Sequence, residues 1–261
     1  METGKTAVFA GNDELSRLAV KRLEKAAGGL VVLSQGSLDY PVPSHYVIDA
    51  GNLAGVVEIF RRERITQLAL VGRFDHGALM TGSVHASGRA FLASLPDWRG
   101  ESILAGLAQF LGGQGVTVLS LAEVFAPELA ARGPYTTRTP DETGARDIQR
   151  GAAVLRALLP YRIGQSLAIK QGVVLAVEGI EGTDRMIERT GELCRDFTVV
   201  KIAGADKDER FDLPVVGVKT VRAMHRAGAV ALAVEAGKTL IVHKEEVVEL
   251  ADKHGIALEG I

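Results

Sequence analysis

"KTAVFAGNDELSRLAVKRLEKAAGGLVVLSQG", residues 5–36, decides the fold. It opens with an apolar run closing on Gly11, the pattern of a buried strand. Asn12 then stands where a helix cap belongs, and Leu15, Leu18, Ala19 and Leu23 recur at helical spacing. A second apolar run, "GLVVLSQG" (29–36), follows at once. Strand, helix and strand in so short a stretch form a βαβ unit, whose two strands pair in parallel across the helix.

The same rhythm continues outward. "HYVIDAG" (45–51) reads as a third strand, "LAGVVEIFRRERI" (53–65) as a helix and "QLALVGRF" (67–74) as another strand. Residues 102–112 form an apolar helix closed by Gly112-Gly113, and "GVTVLS" (115–120) is a further strand. The alternation predicts a Rossmann-like domain built on an open parallel sheet.

"RGPYTTRTP" (132–140) breaks the rhythm and marks a boundary between residues 1–136 and 137–261. Thr139, Pro140 and Glu142 fit a capping box that opens a helix running to about Leu159. "QSLAIKQGVVLAVEG" (165–179) reads as two strands joined at Gln171-Gly172, a hairpin. A helix follows Asp184. "FTVVKIA" (197–203), "AVALAVEAG" (229–237), "KTLIVH" (238–243) and "IALEGI" (256–261) read as strands, with helices near 219–227 and 245–254. The second half is therefore a mixed α/β domain.

Of the 261 residues 47% are hydrophobic but only 5% aromatic, and mean hydropathy is +0.15, so small aliphatic side chains build the interior. A net charge of −2 and an isoelectric point near 6.3 leave no electrostatic footprint for nucleic acid. The single cysteine, Cys194, excludes an internal disulfide and reads as a small core residue rather than a nucleophile. "METGKTAVFAG" has no basic segment followed by an apolar stretch, and no apolar run approaches the roughly 20 residues of a membrane span. A soluble cytoplasmic protein is expected, with binding at a membrane surface still open.

Three stretches could carry chemistry. In "FAGNDEL" (9–15), Gly11 and Asn12 stand at the end of the first strand, where backbone amides can face a ligand. Only one of the three glycines of a dinucleotide fingerprint is present, and Asp13 opposes a phosphate placed there. A base or ribose suits this turn better than a pyrophosphate. In "GRFDH" (72–76), Arg73 follows a predicted strand, where open α/β sheets hold their ligands, and its planar guanidinium suits an anion. His76 and His85 lack metal-ligand spacing and read as surface residues.

The third stretch is acidic. "LAVEGIEGTD" (175–184) presents Glu178, Glu181 and Asp184 around a Gly-Thr turn, and "KDERFDLP" (207–214) adds Asp212. Buried carboxylates are costly unless they are paired or bind a cation. Pro214 pushes Leu213 out of the helical region, which leaves Asp212 on an extended or turning segment. With Lys201 and Arg210 close in sequence, the set suits a hard cation and phosphoryl chemistry. On composition alone the plainer reading is a set of surface ion pairs, with Glu181–Asp184 a plain helix start.

"IGQSLAIKQGVVLAVEGIEGTDRMIER" (163–189) followed by "RFDLPVVGVKT" (210–220) closely resembles the LpxI family of UDP-2,3-diacylglucosamine pyrophosphatases. "VEAGKTLIV" (234–242), Arg138-Thr139-Pro140 and Asp147-Ile148 extend the likeness from about residue 136 to the end. The resemblance implies hydrolysis of the pyrophosphate in a lipid-bearing UDP-sugar, releasing UMP and a diacylated glucosamine 1-phosphate, in the lipid A pathway. It implies magnesium, a homodimer, peripheral contact with the inner membrane, and a ligand held between the two domains. The family's essential aspartate falls on Asp212. Gln165, Glu178, Thr183 and Asp184 are the other matched positions around phosphates or metal.

On this basis Asp212 is assigned as metal ligand or water-positioning base, with Glu181 and Asp184 as supporting ligands. Lys201, Arg73 and Arg210 are candidates to neutralise the phosphates. The sequence departs from the family at Gly11-Asn12-Asp13, at Gly100-Glu101-Ser102 and at Gly204-Ala205. Those departures keep two further readings in view: a different nucleotide or acyl preference, and a non-catalytic nucleotide-sugar or lipid-binding relative.

Overall fold

The computed structural model describes residues 4–71, 84–204 and 208–261. Arg73 and His76 lie outside the described residues. The chain divides into two compact units, Met1–Phe125 with Glu209–Phe211, and Ala126–Asp208 with Asp212–Ile261. The division falls upstream of the Gly- and Pro-containing stretch at 132–140, because Gly133–Pro134 pairs with Glu259 and Gly260 as an edge strand of the second unit.

In the first unit, β1 (Lys5–Phe9), β2 (Leu30–Ser34), β3 (His45–Val47), β4 (Ile65–Leu70) and β5 (Thr117–Val118) form a parallel sheet of order β3-β2-β1-β4-β5. This is the Rossmann order, with its switch point between β1 and β4. Every residue of β2 is buried, as a strand covered on both faces requires. Ala7, Phe9, Val31, Leu33 and Leu68 form a core with Val56 and Phe60 of α2 (Leu53–Glu63) and Ala108 and Leu111 of a later helix, Gly100–Gly113. α1 (Glu14–Leu23) packs on β1 and β2. Between α2 and the Gly100–Gly113 helix (α4) lies α3, Ala86–Ala93. α5 (Leu121–Val124) closes the unit.

Asp13, not Asn12, caps α1: its carboxylate accepts from Ser16 N–H at 2.9 Å and from the Ser16 hydroxyl at 2.8 Å. An ionised cap side chain is a stronger acceptor than an amide and also complements the positive helix end.

In the second unit the sheet order is β6-β13-β11-β9-β7-β8. Its members are β6 (Gly133–Pro134), β7 (Ser166–Lys170), β8 (Val173–Val177), β9 (Phe197–Lys201), β11 (Ala229–Val234) and β13 (Ala257–Gly260). β9, β11 and β13 run parallel, while β7 and β8 are an antiparallel hairpin added beside β9. The hairpin turns at Gln171-Gly172, both with positive φ (49° and 79°), which matches the twist of the flanking strands. Asp147, buried, accepts from both turn amides, at 2.8 Å from Gln171 and 2.6 Å from Gly172. The short strands β10 (Val215–Val216) and β12 (Leu240–Ile241) pair separately.

α6 (Glu142–Leu158) is capped by Asp141, which accepts from Gly144 N–H at 2.7 Å, rather than by Thr139. α7 (Thr183–Leu193) and α8 (Val218–Ala227) lie against one another so closely that a Cβ on Gly191 would stand 2.7 Å from Ala227 Cα. α9 (Lys244–Lys253) precedes β13. Cys194, partly buried, packs against the core at the end of α7. Among the described residues no helix is long and apolar enough to cross a membrane.

Candidate active site

β9 ends in Lys201, a lysine only 4% exposed at the carboxyl edge of the second sheet. A buried ammonium needs hydrogen-bond acceptors, since water no longer solvates it. Its antiparallel neighbour β7 begins there with Ser166, paired in register with Lys201. Lys201 Nζ donates to Ser166 Oγ at 3.2 Å and to Thr183 Oγ1 at 2.7 Å. The Thr183 hydroxyl in turn donates to Glu178 Oε1 at 3.0 Å, and Glu178 Oε2 accepts from the Gln165 N–H at 3.2 Å. Cation, hydroxyl and carboxylate thus form a relay that balances the buried charge.

The backbone places these groups. β8 runs out at Val177, and Glu178 N–H donates to Ser166 O at 2.8 Å, so Glu178 remains on the strand edge. A Cβ on Gly164 would stand 2.1 Å from Glu178 O, so only glycine admits this approach of the two chain segments. Gly182, with φ 83°, turns the chain into α7 without a side-chain cap, and Gly217 starts α8 in the same uncapped way. Asp184 in the first turn of α7 accepts from Thr220 Oγ1 at 2.9 Å, which ties the two helix starts together. Uncapped helix starts leave N–H groups directed outward, a setting that favours negative charge.

Among the described residues Gln165 Nε2 is buried without a hydrogen-bond partner. An unused buried donor at this edge suits an incoming acceptor such as a phosphate oxygen. The edge can therefore bind an anion through the Lys201 ammonium, the Gln165 amide and two helix starts.

The expected residues are brought together unequally. Gln165, Glu178, Thr183 and Lys201 form one hydrogen-bonded group, and Asp184 is next to Thr183 in the chain. Glu181 turns to Arg189, accepting at 2.8 Å and 3.1 Å, and this bond holds its carboxyl below the ordinary range. Asp212 is exposed and precedes buried Leu213, which leads into β10. Arg210 stands over the Phe211 ring, with its guanidinium carbon 5.1 Å from the centroid.

Gly11 and Asn12 in the first unit are engaged locally. Gly11 N–H donates to Ser16 Oγ at 2.9 Å. Asn12 donates to Ser37 O at 3.1 Å and accepts from Asp39 N–H at 3.0 Å, while the Tyr40 hydroxyl donates to Gly11 O at 3.0 Å. These bonds bridge the turns after β1 and β2. His85 is on the surface, as expected, where it pairs with Asp49 at 3.1 Å.

Among the described residues no three His, Cys, Asp or Glu side chains gather where they could hold a metal ion. A centre built on Asp212, Glu181 and Asp184 together does not fit this arrangement, because Glu181 is ion-paired and Asp184 holds Thr220. Sequence reasoning passed over Ser166 and Thr220. Ser166 carried a readable signal, a hydroxyl opening an otherwise apolar buried strand.

Comparison with known proteins follows the same division of the chain. The model of the LpxI N-terminal domain matches residues 5–129, and that of the LpxI C-terminal domain matches residues 131–259. UDP-2,3-diacylglucosamine pyrophosphatase LpxI of Caulobacter vibrioides (strain ATCC 19089 / CIP 103742 / CB 15) is 27% identical over 275 residues, spanning 98% of this chain and 97% of that protein. Among solved structures, a GalE-like L-threonine dehydrogenase from Cupriavidus necator is 15% identical at a TM-score of 0.30, over 43% of this chain and 34% of that one. A partial-consensus L-threonine 3-dehydrogenase is 16% identical at a TM-score of 0.30, over 59% of this chain and 49% of that one. The chain thus spans about a third and about half of those two structures. With both domain models falling in order on its two halves, the chain belongs to the LpxI family.

Proposed function

We propose that this protein hydrolyses the pyrophosphate of UDP-2,3-diacylglucosamine, or a related UDP-linked acylated amino sugar, as a step of lipid A biosynthesis. Water adds across the P–O–P bridge; one phosphate leaves as UMP and the other stays on the lipid sugar as its 1-phosphate. The observation that carries the reading is the buried Lys201 relay with Ser166, Thr183 and Glu178, on a chain matched by both LpxI domain models. Charge grows on phosphate oxygens as the anhydride breaks, and a fixed ammonium with oriented N–H groups stabilises it there. Lys201, Gln165 and the start of α7 are assigned to the phosphates. Asp212 is assigned to orient the attacking water, as an exposed carboxylate on the segment that leads into β10.

Magnesium is part of the proposal in a restricted form. Magnesium in general retains several waters and needs few protein carboxylates, and Asp212 is the residue that would hold it. It would neutralise phosphate charge when bound. A homodimer and contact with the inner membrane belong to the same proposal. Exposed Ile163 and Ile180 flank Gly164 and Glu178 and give the charged edge an apolar border that suits a lipid-bearing substrate.

The test is UMP release from UDP-2,3-diacylglucosamine with magnesium, with chelator, and by Asp212→Ala. The reading expects release that chelator abolishes and Asp212→Ala reduces at least ~100-fold. Thermal stabilisation by substrate without UMP release would make the protein a binder instead. Light scattering and sedimentation with vesicles test the dimer and the membrane contact.

A further inference from the structure

Within the first unit, a cavity of about 290 Å³ runs between the sheet and helices α2, α3 and α4. Every described residue that lines it is apolar. Its upper end is at the β1/β4 switch point, by Phe9, Leu70 and Val71, where sheets of this order place their ligands. From there α2 lines it from Leu53 to Phe60, a depth of about 10 Å at the helical rise. Packed interiors rarely leave voids much larger than a water molecule. This one is about twice the roughly 150 Å³ that admits benzene, which gives room for on the order of a dozen carbons.

Two features mark it as more than loose packing. Phe60 and Val57 line both this cavity and a separate cleft at the opposite, amino end of the sheet, bordered by Lys5, Glu63 and Arg64. Phe60, 3% exposed, is thus a partition that closes the apolar channel. Phe211 lines the cavity too, and the next residue in the chain is Asp212.

We infer that this cavity takes one acyl chain of the lipid-bearing substrate and that the Phe60 ring sets the longest chain accepted. The inference rests on the proposed hydrolase reading. Its chemistry is that of an extended hydrocarbon: no charge, narrow section, entry from the ligand side of the sheet. Phe211 supplies an aromatic wall to that channel within the first unit.

The experiment uses full-length protein and UDP-2,3-diacylglucosamines of graded acyl length, with UMP release and thermal stabilisation measured in parallel. For the wild type, apparent affinity should improve about fourfold for each methylene buried and then fall at a limit. Phe60→Ala, and the milder Phe60→Leu should the first not fold, should move that limit to longer chains and raise the long-to-short preference at least tenfold. Leu107→Phe, which narrows the channel, should move it to shorter ones. Limits unchanged in all three variants, with UMP still released, overturn the inference and leave the hydrolase reading intact. If no substrate yields UMP, the hydrolase reading falls. Stabilisation that shows no length limit, or the same limit in wild type and variants, then overturns the cavity assignment as well.

Discussion

Lys201 Nζ lies 2.7 Å from Thr183 Oγ1, so the last residue of β9 is fastened to the first residue of α7 through an ammonium. The same hydroxyl donates its own hydrogen bond to Glu178, so one contact joins the fold to the candidate site.

Lys201→Met keeps the aliphatic stem and removes the charge. Ser166 and Thr183 already share a hydrogen bond at 3.3 Å that does not depend on the lysine, so the fold should persist. Turnover of UDP-2,3-diacylglucosamine should fall about 100-fold or more, as when one electrostatic stabiliser is lost. Steady-state kinetics beside a melting curve separates the two effects; full activity in a well-folded variant would remove Lys201 from the phosphates.

Gly164→Ala tests the close approach to Glu178. The added methyl must displace backbone atoms rather than a flexible side chain. A cost of about 1–3 kcal/mol is expected from such overpacking, together with lower activity as Glu178 moves. Gly36→Ala, whose methyl would meet nothing within 4 Å, is the control and should leave the melting temperature nearly unchanged.

Arg189 sets a pH dependence. Its bond lowers the Glu181 carboxyl below the ordinary value of 4.5, so the folded state binds that proton less readily than the unfolded state. The resulting stability is present above pH 4.5 and disappears as pH falls through the lowered folded value. Arg189→Ala should therefore unfold earlier in urea near neutrality, and its deficit should shrink in acid. A deficit that stays constant with pH would assign it to the Arg189 bond with Val177 O instead.

Glu259 in β13 titrates in the opposite sense. Burial raises its carboxyl above 4.5, so its charged form opposes folding. Its contribution is best below pH 4.5 and is lost as pH rises through the raised value. Glu259→Gln should melt higher than wild type near neutral pH and level with it in acid. Equal shifts at both ends would point to packing rather than charge.

Much of this architecture could be read from local pattern. The hairpin at Gln171-Gly172 was legible because a two-residue turn with positive φ has a narrow residue preference. The strands of the first sheet were legible because burial on both faces makes them continuously apolar. Helix starts were misread by one or two positions at Asn12 and Thr139, since Asp13 and Asp141 compete for the same amides and bind them as anions. Within the candidate site, Glu178, Thr183 and Lys201 are legible from the sequence, but their hydrogen-bonded relay is not. Ser166 meets Lys201 through strand register across 35 residues, which no local window contains. Glu181 and Asp184 were grouped by proximity in sequence, whereas a helix start sends them to Arg189 and Thr220.

The tripeptide Glu209–Phe211 belongs with the first unit although it is separated from Phe125 by most of the second half of the chain. Leu121 N–H donates to Glu209 O at 2.9 Å, and Phe211 joins the core of α2, α4 and the sheet. Dissection at the 125/126 bond would therefore yield an amino-terminal fragment with a vacant aromatic seat and an orphaned amide. Its complement would carry a stranded phenylalanine. Chimaeras exchanging halves between relatives would need this tripeptide to travel with the amino-terminal half, or each hybrid would graft a foreign side chain into a core shaped for another.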